Sequence, residues 1–311
     1  MRLLVQSAGI DGVPAIVAEI ARLAPEIECV AWPSDLPCDY AVVWKPPAEL
    51  FACQPKLRAV FNFGAGVDAI LAMKVVPEHL PIIRLEDAGM AQQMAEYALY
   101  GVLHHHRQMG RYAAQQRDGV WLPHEDRANR RRPTVGVMGL GEMGGHVARR
   151  IAGFGYPVRG WSRRLRALEG IETFAGLEGP RGLDVFLAGT EVLVLALPLT
   201  EATYHLIDAS RLACLPRGSF LVNAGRGALV VEADLLAALD SGQLAGALLD
   251  VFETEPLPPD HPLWRHPKVL ITPHIAAITP VPEACAQIVE KLRALEAGRP
   301  VSGIVNRTAG Y

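Results

Sequence analysis

Residues 134–152 constrain this 311-residue chain more than any other stretch. A short apolar run over 135–138 ends on Gly139-Leu140-Gly141-Glu142-Met143-Gly144, and a helical pattern over 143–152 follows at once. Strand, glycine turn and helix in that order make one half of a βαβ unit, in which each glycine has a separate task. Gly139 permits the tight turn, Gly141 lets backbone approach an anion, and Gly144 lets helix and strand pack closely. The helix N-terminus adds free N–H groups and a partial positive charge, so the spacing points to the pyrophosphate of a dinucleotide.

The rest of the chain repeats this alternation. Strands are expected over 2–6, 40–44, 57–63 and 82–85, with a helix over 13–23. One long helical pattern runs from about 90 to about 117, broken by Asp118-Gly119 and by Asn129-Arg130-Arg131-Arg132-Pro133. After it, strands are expected over 135–138, 158–161, 192–197, 220–223, 247–251 and 269–272, with helices over 232–240 and 282–297. Alternation of this kind predicts parallel sheets with crossover helices. A chain of this length suits two such domains. The fold expected is therefore α/β, with two doubly wound parallel-sheet domains: 1–99 with 283–311, and 100–282.

Charge and cysteine usage narrow the partners. The net charge is −3, from 33 acidic and 30 basic side chains, which suggests neither nucleic acid nor an anionic membrane. No apolar stretch is long enough to span a bilayer. The five cysteines are scattered without a CxxC pair, which fits free thiols in a reducing cytoplasm better than a disulfide framework or zinc site. His104-His105-His106 resembles a metal cluster, but neighbours on a helix do not share a face, so ordinary helix positions and no metal are expected. His261 and His266 lack a paired carboxylate motif, and Glu253 reads as a solvated side chain.

The end of the second strand of the cofactor domain decides which dinucleotide. Enzymes that use NAD place a carboxylate there for the ribose 2′-OH. Here the segment reads Gly160-Trp161-Ser162-Arg163-Arg164. Guanidinium and hydroxyl groups bind a 2′-phosphate that a carboxylate would repel, so NADPH is expected in preference to NADH.

Three further segments follow expected strands, where ligands of doubly wound sheets sit. They are Asn223-Ala224-Gly225-Arg226-Gly227, Asp250-Val251-Phe252-Glu253-Thr254-Glu255-Pro256 and Thr272-Pro273-His274-Ile275-Ala276. In this order after the glycine turn, they make the whole chain resemble the D-2-hydroxyacid dehydrogenase family. Trp44-Lys45-Pro46-Pro47, the run 61–68, Arg84-Leu85-Glu86-Asp87, Trp161-Ser162-Arg163 and the run 262–267 resemble its glyoxylate/hydroxypyruvate reductase branch.

The resemblance implies a Rossmann cofactor domain, a flavodoxin-like substrate domain and a cleft between them that closes over the ligand. It implies reduction of small 2-oxo acids, glyoxylate to glycolate and hydroxypyruvate to D-glycerate, in a homodimer joined through cofactor-domain helices. Arg226 would bind the substrate's carboxylate and keto oxygen, His274 would be the acid/base, and Glu255 its partner. The cofactor set it implies is Gly139, Gly141, Glu142, Met143, Gly144, Ser162, Arg163, Arg164, Leu197, Pro198, Thr203, Ala224, Gly225 and Asp250. Gly64, Ala65 and Gly66 would present backbone N–H groups to the substrate carboxylate, with Trp44 as an apolar wall. Two alternatives stay open: another specificity within the family, or a non-catalytic dinucleotide-sensing regulator on the same fold.

Overall fold

Every strand among the described residues pairs parallel to its neighbouring strands, so both faces of each sheet need helical cover and the strands read as apolar runs. The computed structural model describes residues 1–8, 12–123 and 131–311. They form two compact units, Met1–Met90 with Thr279–Tyr311, and Ala91–Ile278.

The first unit runs β1 (Arg2–Ser7), α1 (Gly12–Leu23), β2 (Glu28–Ala31), β3 (Tyr40–Trp44), α2 (Glu49–Cys53), β4 (Ala59–Asn62), α3 (Asp68–Leu71) and β5 (Ile82–Arg84). Its sheet order is β2-β1-β3-β4-β5, so the chain reverses its direction of winding between β1 and β3. That is the flavodoxin-like order expected. In β3, Tyr40, Ala41, Val42 and Val43 are all buried, as the central position of the strand demands.

The second unit begins with α4 (Met90–His106), whose first residue closes the first unit, and α5 (Met109–Arg117). Then come β6 (Val135–Met138), α6 (Glu142–Gly153), β7 (Val158–Ser162), β8 (Glu172–Ala175), α7 (Leu183–Ala188) and β9 (Val192–Leu195). It ends with α8 (Ala209–Cys214), β10 (Ser219–Asn223), α9 (Glu232–Asp240), β11 (Leu244–Leu249) and β12 (Val269–Ile271). The sheet order is β12-β11-β10-β9-β6-β7-β8, the Rossmann arrangement with one strand added at the β12 edge. Its winding reverses between β6 and β9, and the crevice for a ligand lies beyond the strand ends there.

The last helix, α10 (Val281–Glu296), returns to the first unit and packs on α1. Ala284, Cys285, Ile288, Val289 and Leu292 form its buried stripe. Lys291 on the same helix is also buried, where its ammonium reaches Glu86 at 3.1 Å and the carbonyls of Arg84 and Ser302.

Several local expectations shift. The helix expected over 90–117 is two helices, broken at Gln108, which is left-handed at φ +53°. No glycine or proline stands at the break itself, and Gly110 follows in the first turn of α5. β2 and β8 were not expected: each is a four-residue edge strand with a mixed burial pattern. The expected boundaries at 99/100 and 282/283 fall inside α4 and α10, whereas the compact units divide next to the start of each helix. Of the break expected over 129–133, residues 129 and 130 lie outside the described residues.

Candidate active site

The glycine turn after β6 is built around one close approach. Gly139 is at φ +99°, and a Cβ there would lie 2.5 Å from the carbonyl oxygen of Ala196, just past β9. A Cβ on Gly144 would overlap the carbonyl oxygen of Gly139. The turn thus bridges the β6–β9 switch point and brings α6 down onto it. Gly141 differs: a Cβ there would meet nothing within 4 Å. That open side lies at the start of α6, beside a cavity of about 370 Å³ lined by Leu140, Gly141, Glu142, Arg149, Arg166 and Leu168. Two guanidinium groups on a cavity at a helix N-terminus fit the phosphates of a dinucleotide.

Arg149 and Arg166 were missed in the sequence. The Arg166 guanidinium donates to the Leu140 carbonyl at 3.2 Å, a loop contact with no local signature. Ser162 is buried at the end of β7, and its hydroxyl donates to the Arg164 carbonyl at 2.7 Å, closing the turn that exposes Arg163 and Arg164. Beside the glycine turn, the loop carrying Leu197 and Pro198 is tied by Thr203, whose hydroxyl donates to the Pro198 carbonyl at 2.8 Å.

The second unit also gathers the chemistry-bearing segments at its strand ends. After β10 the Asn223 side chain accepts from Gly225 N–H and donates to the Arg226 carbonyl, which holds the arginine turn from both sides. Ala224 is buried in this turn. A Cβ on Gly227 would overlap the Phe252 carbonyl group, so this turn lies directly against the segment that carries Glu255. Glu255 takes the Phe252 N–H at 3.1 Å on one oxygen and the Nδ1 of His274 at 2.8 Å on the other. With Nδ1 held, Nε2 is the ring nitrogen left to face a ligand, and the His274 side chain keeps 45% of its exposure.

Asp250 is 1% exposed, and its carboxylate accepts from Thr272 Oγ1, Ile275 N–H and Ala276 N–H. Its side chain therefore holds the histidine turn. The cofactor role implied for it rests on its place just past β11.

In the first unit the Trp44 ring lies over Gly64, where a Cβ would come 2.6 Å from the ring. The Asn62 amide donates to the carbonyls of Gly64 and Gly66, at 3.0 and 2.9 Å, and turns both inward. The Gly64 N–H is engaged by the Asn62 carbonyl, so of the three residues expected to receive an anion it has no amide to offer. The amides of Ala65 and Gly66 donate to no group among the described residues.

Other expectations are revised. Glu253 is not merely solvated: it receives Tyr204 OH at 3.0 Å and faces His205 Nε2. His261 and His266 do have carboxylate neighbours, Glu232 at 3.3 Å and Asp240 at 3.4 Å. His104 and His105 pack on Phe220, while His106 bonds the Tyr156 hydroxyl. No helix among the described residues is long and apolar enough to cross a membrane.

Residues 99–276 match the family described as D-isomer specific 2-hydroxyacid dehydrogenase, NAD binding domain. The chain belongs to this family. As a D-2-hydroxyacid dehydrogenase it is an oxidoreductase with a dinucleotide-binding domain. It is 44% identical over 302 residues to glyoxylate/hydroxypyruvate reductase A of Serratia proteamaculans (strain 568), covering 95% of each chain. The enzyme of the same name from Salmonella newport (strain SL254) is 47% identical over 280 residues, 88% of each. Among solved structures, the D-isomer specific 2-hydroxyacid dehydrogenase of Xanthobacter autotrophicus Py2, in complex with NADPH and MES, superposes with a TM-score of 0.93 at 42% identity, covering 99% of each chain. The NADPH-dependent glyoxylate/hydroxypyruvate reductase of Sinorhizobium meliloti, in complex with NADP and sulfate, gives 0.91 at 37%, covering 100% of this chain and 99% of that one.

Proposed function

We propose that this dehydrogenase reduces small 2-oxo acids, glyoxylate and hydroxypyruvate among them, with NADPH. The observation that carries the reading is the His274–Glu255 pair at 2.8 Å, in a segment packed against the Arg226 turn. A dinucleotide-sensing regulator has no need of such a pair. When bound, the cofactor supplies the hydride that reduces the keto carbon. The protein handles the charge that results on oxygen. His274, held through Nδ1, donates a proton from Nε2, and Glu255 keeps the ring oriented throughout. Arg226 binds the carboxylate and stabilises the developing oxyanion. In the first unit, the Ala65 and Gly66 amides are the proposed donors to the substrate carboxylate, with Trp44 as apolar wall.

NADP(H) is favoured over NAD(H) by the arginines beyond β7. Arg163 and Arg164 directly follow the strand end, where no carboxylate stands, and Arg166 and Arg149 line the cavity at the start of α6 together with Glu142. Solved relatives named above were crystallised with NADPH or NADP. A homodimer is supported by α5, which buries none of its residues, and by Trp121, exposed to 98%. Cytoplasmic residence agrees with five free cysteines.

The test is cofactor oxidation with glyoxylate, hydroxypyruvate and bulkier 2-oxo acids, each with NADPH and NADH. The expected result is the highest kcat/KM for the two small acids with NADPH. Absence of turnover with every acid, from protein that binds NADPH, would refute it.

A further inference from the structure

His274 sits at φ +57°, in the left-handed region. A residue with a side chain holds that conformation only where its surroundings impose it. Part of what imposes it is Asp250, which receives the N–H groups of Ile275 and Ala276 on its carboxylate and that of His274 on its carbonyl. Further bonds to the same segment come from far away in sequence, from one face of α4. Gln93 and Tyr97 are a single helical turn apart on that face. Gln93 grips the far end of the histidine segment with both amide atoms, donating to the Ile278 carbonyl at 2.9 Å and accepting from its N–H at 3.1 Å. Tyr97 grips the near end through its hydroxyl, 2.6 Å from Thr272 Oγ1. The Thr272 hydroxyl proton points to Asp250 Oδ1 at 2.6 Å, so Tyr97 must be the donor to Thr272. The Tyr97 ring itself packs against the apolar core between α4 and the sheet.

We infer that Gln93 and Tyr97 are positioning residues, by which α4 clamps both ends of the turn 272–278 and holds His274 in its left-handed conformation. The inference rests on the proton-donor role proposed for His274. Burial pushes the Tyr97 phenol upward, with the Asp250 charge adding to it, so the hydroxyl stays a donor throughout the neutral range. The Tyr97–Thr272–Asp250 chain moves no proton to the ring. It sets where the ring is.

Tyr97→Phe removes one oxygen and keeps the ring, so the core packing survives. With NADPH and glyoxylate, kcat is expected to fall about tenfold while KM for NADPH stays within about twofold, because displacing a catalytic group by a fraction of an ångström costs rate and not cofactor affinity. In a His274→Ala background the same change is expected to cost less than about twofold, since the group it positions is already gone. Thr272→Val should behave like Tyr97→Phe, and Thr272→Ser, which keeps the hydroxyl, should stay near wild type. Amide hydrogen exchange over 272–278 should accelerate in Tyr97→Phe and in Gln93→Ala with the rest of the unit unchanged. Equal losses in both backgrounds, or unaltered kcat and exchange, would overturn the inference. Full turnover by His274→Ala alone would overturn the function proposed above, and exchange would then still report whether α4 holds the turn.

Discussion

The two units share a parallel-sheet architecture and present different groups at their strand ends. In the first, the polar groups on offer are backbone amides, those of Ala65 and Gly66, with Asn62 turning the neighbouring carbonyls away and Trp44 lying over Gly64. In the second they are side chains. Arg226, Glu255 and His274 stand on three consecutive strand-end segments, each fixed by its own hydrogen bonds. Parallel sheets converge whatever follows their strands, so the same fold can present a backbone nest or an acid/base pair. Under the proposed function, the first unit would contribute through the path of the chain, and the second through the identity of single residues.

Substitutions should separate the two cases. The largest effect is expected at His274. His274→Ala should lose about 10²–10⁴ in kcat while NADPH still binds, because general acid catalysis is worth that much. Stopped-flow and fluorescence binding measure the two quantities, and near-normal turnover from a folded variant would place the chemistry elsewhere.

Cofactor choice should come next. Replacing Ser162 by Asp and Arg163 by Ala puts a carboxylate where the 2′-phosphate is expected and removes a cation. A charge-assisted hydrogen bond contributes roughly 1.5–3 kcal/mol, so the kcat/KM ratio for NADPH over NADH should fall by one to two decades. An unchanged ratio would assign the phosphate to Arg166 and Arg149.

In the first unit the obstacle to change is steric. Gly64→Ala would press a methyl into the Trp44 ring and displace the loop. KM for the 2-oxo acid should rise several-fold with little change in NADPH affinity, and Trp44→Ala in the same chain should restore part of it. If the single variant matches wild type, the loop is not the carboxylate seat.

The smallest effect concerns stability. Burial pushes the Glu86 carboxyl up, but the Ser302 hydroxyl and the Lys291 ammonium outweigh it, and its net position is below the usual carboxylate value. A lowered folded value gives stability that is present above the unfolded carboxylate range and is lost as pH falls through the folded value. Glu86→Gln should therefore lower Tm by a few degrees at neutral pH. The gap to wild type should close as pH falls below the carboxylate range. A gap that is constant with pH would mean that packing, and not charge, accounts for the loss.

Much of this was legible in the chain. The turn 139–144 is readable because its glycines answer local demands, a positive φ and an approach to the neighbouring strand. The central strands β3, β6 and β9 are readable because burial on both faces leaves an uninterrupted apolar run. The segments that carry Arg226, Glu255 and His274 are readable because each follows a strand, and the resemblance to the family singles out these three residues within them.

Other features were decided only by the tertiary structure. The edge strands β2 and β8 are defined by a neighbour more than by their own pattern. The break falls at Gln108, a residue type that does not itself favour the left-handed region. Lys291 reads as a surface lysine of α10 until Glu86, 205 positions away, gives it a partner. Thr272 likewise reads as an ordinary residue before a proline until Tyr97, 175 positions away, meets its hydroxyl. Sequence by itself determined which polar and charged residues stand beyond the strand ends, because side-chain type and strand-end position are local properties. Where His274 is held was settled by long-range contacts, because a left-handed backbone at a residue with a side chain persists only under constraints that its neighbours in sequence cannot supply.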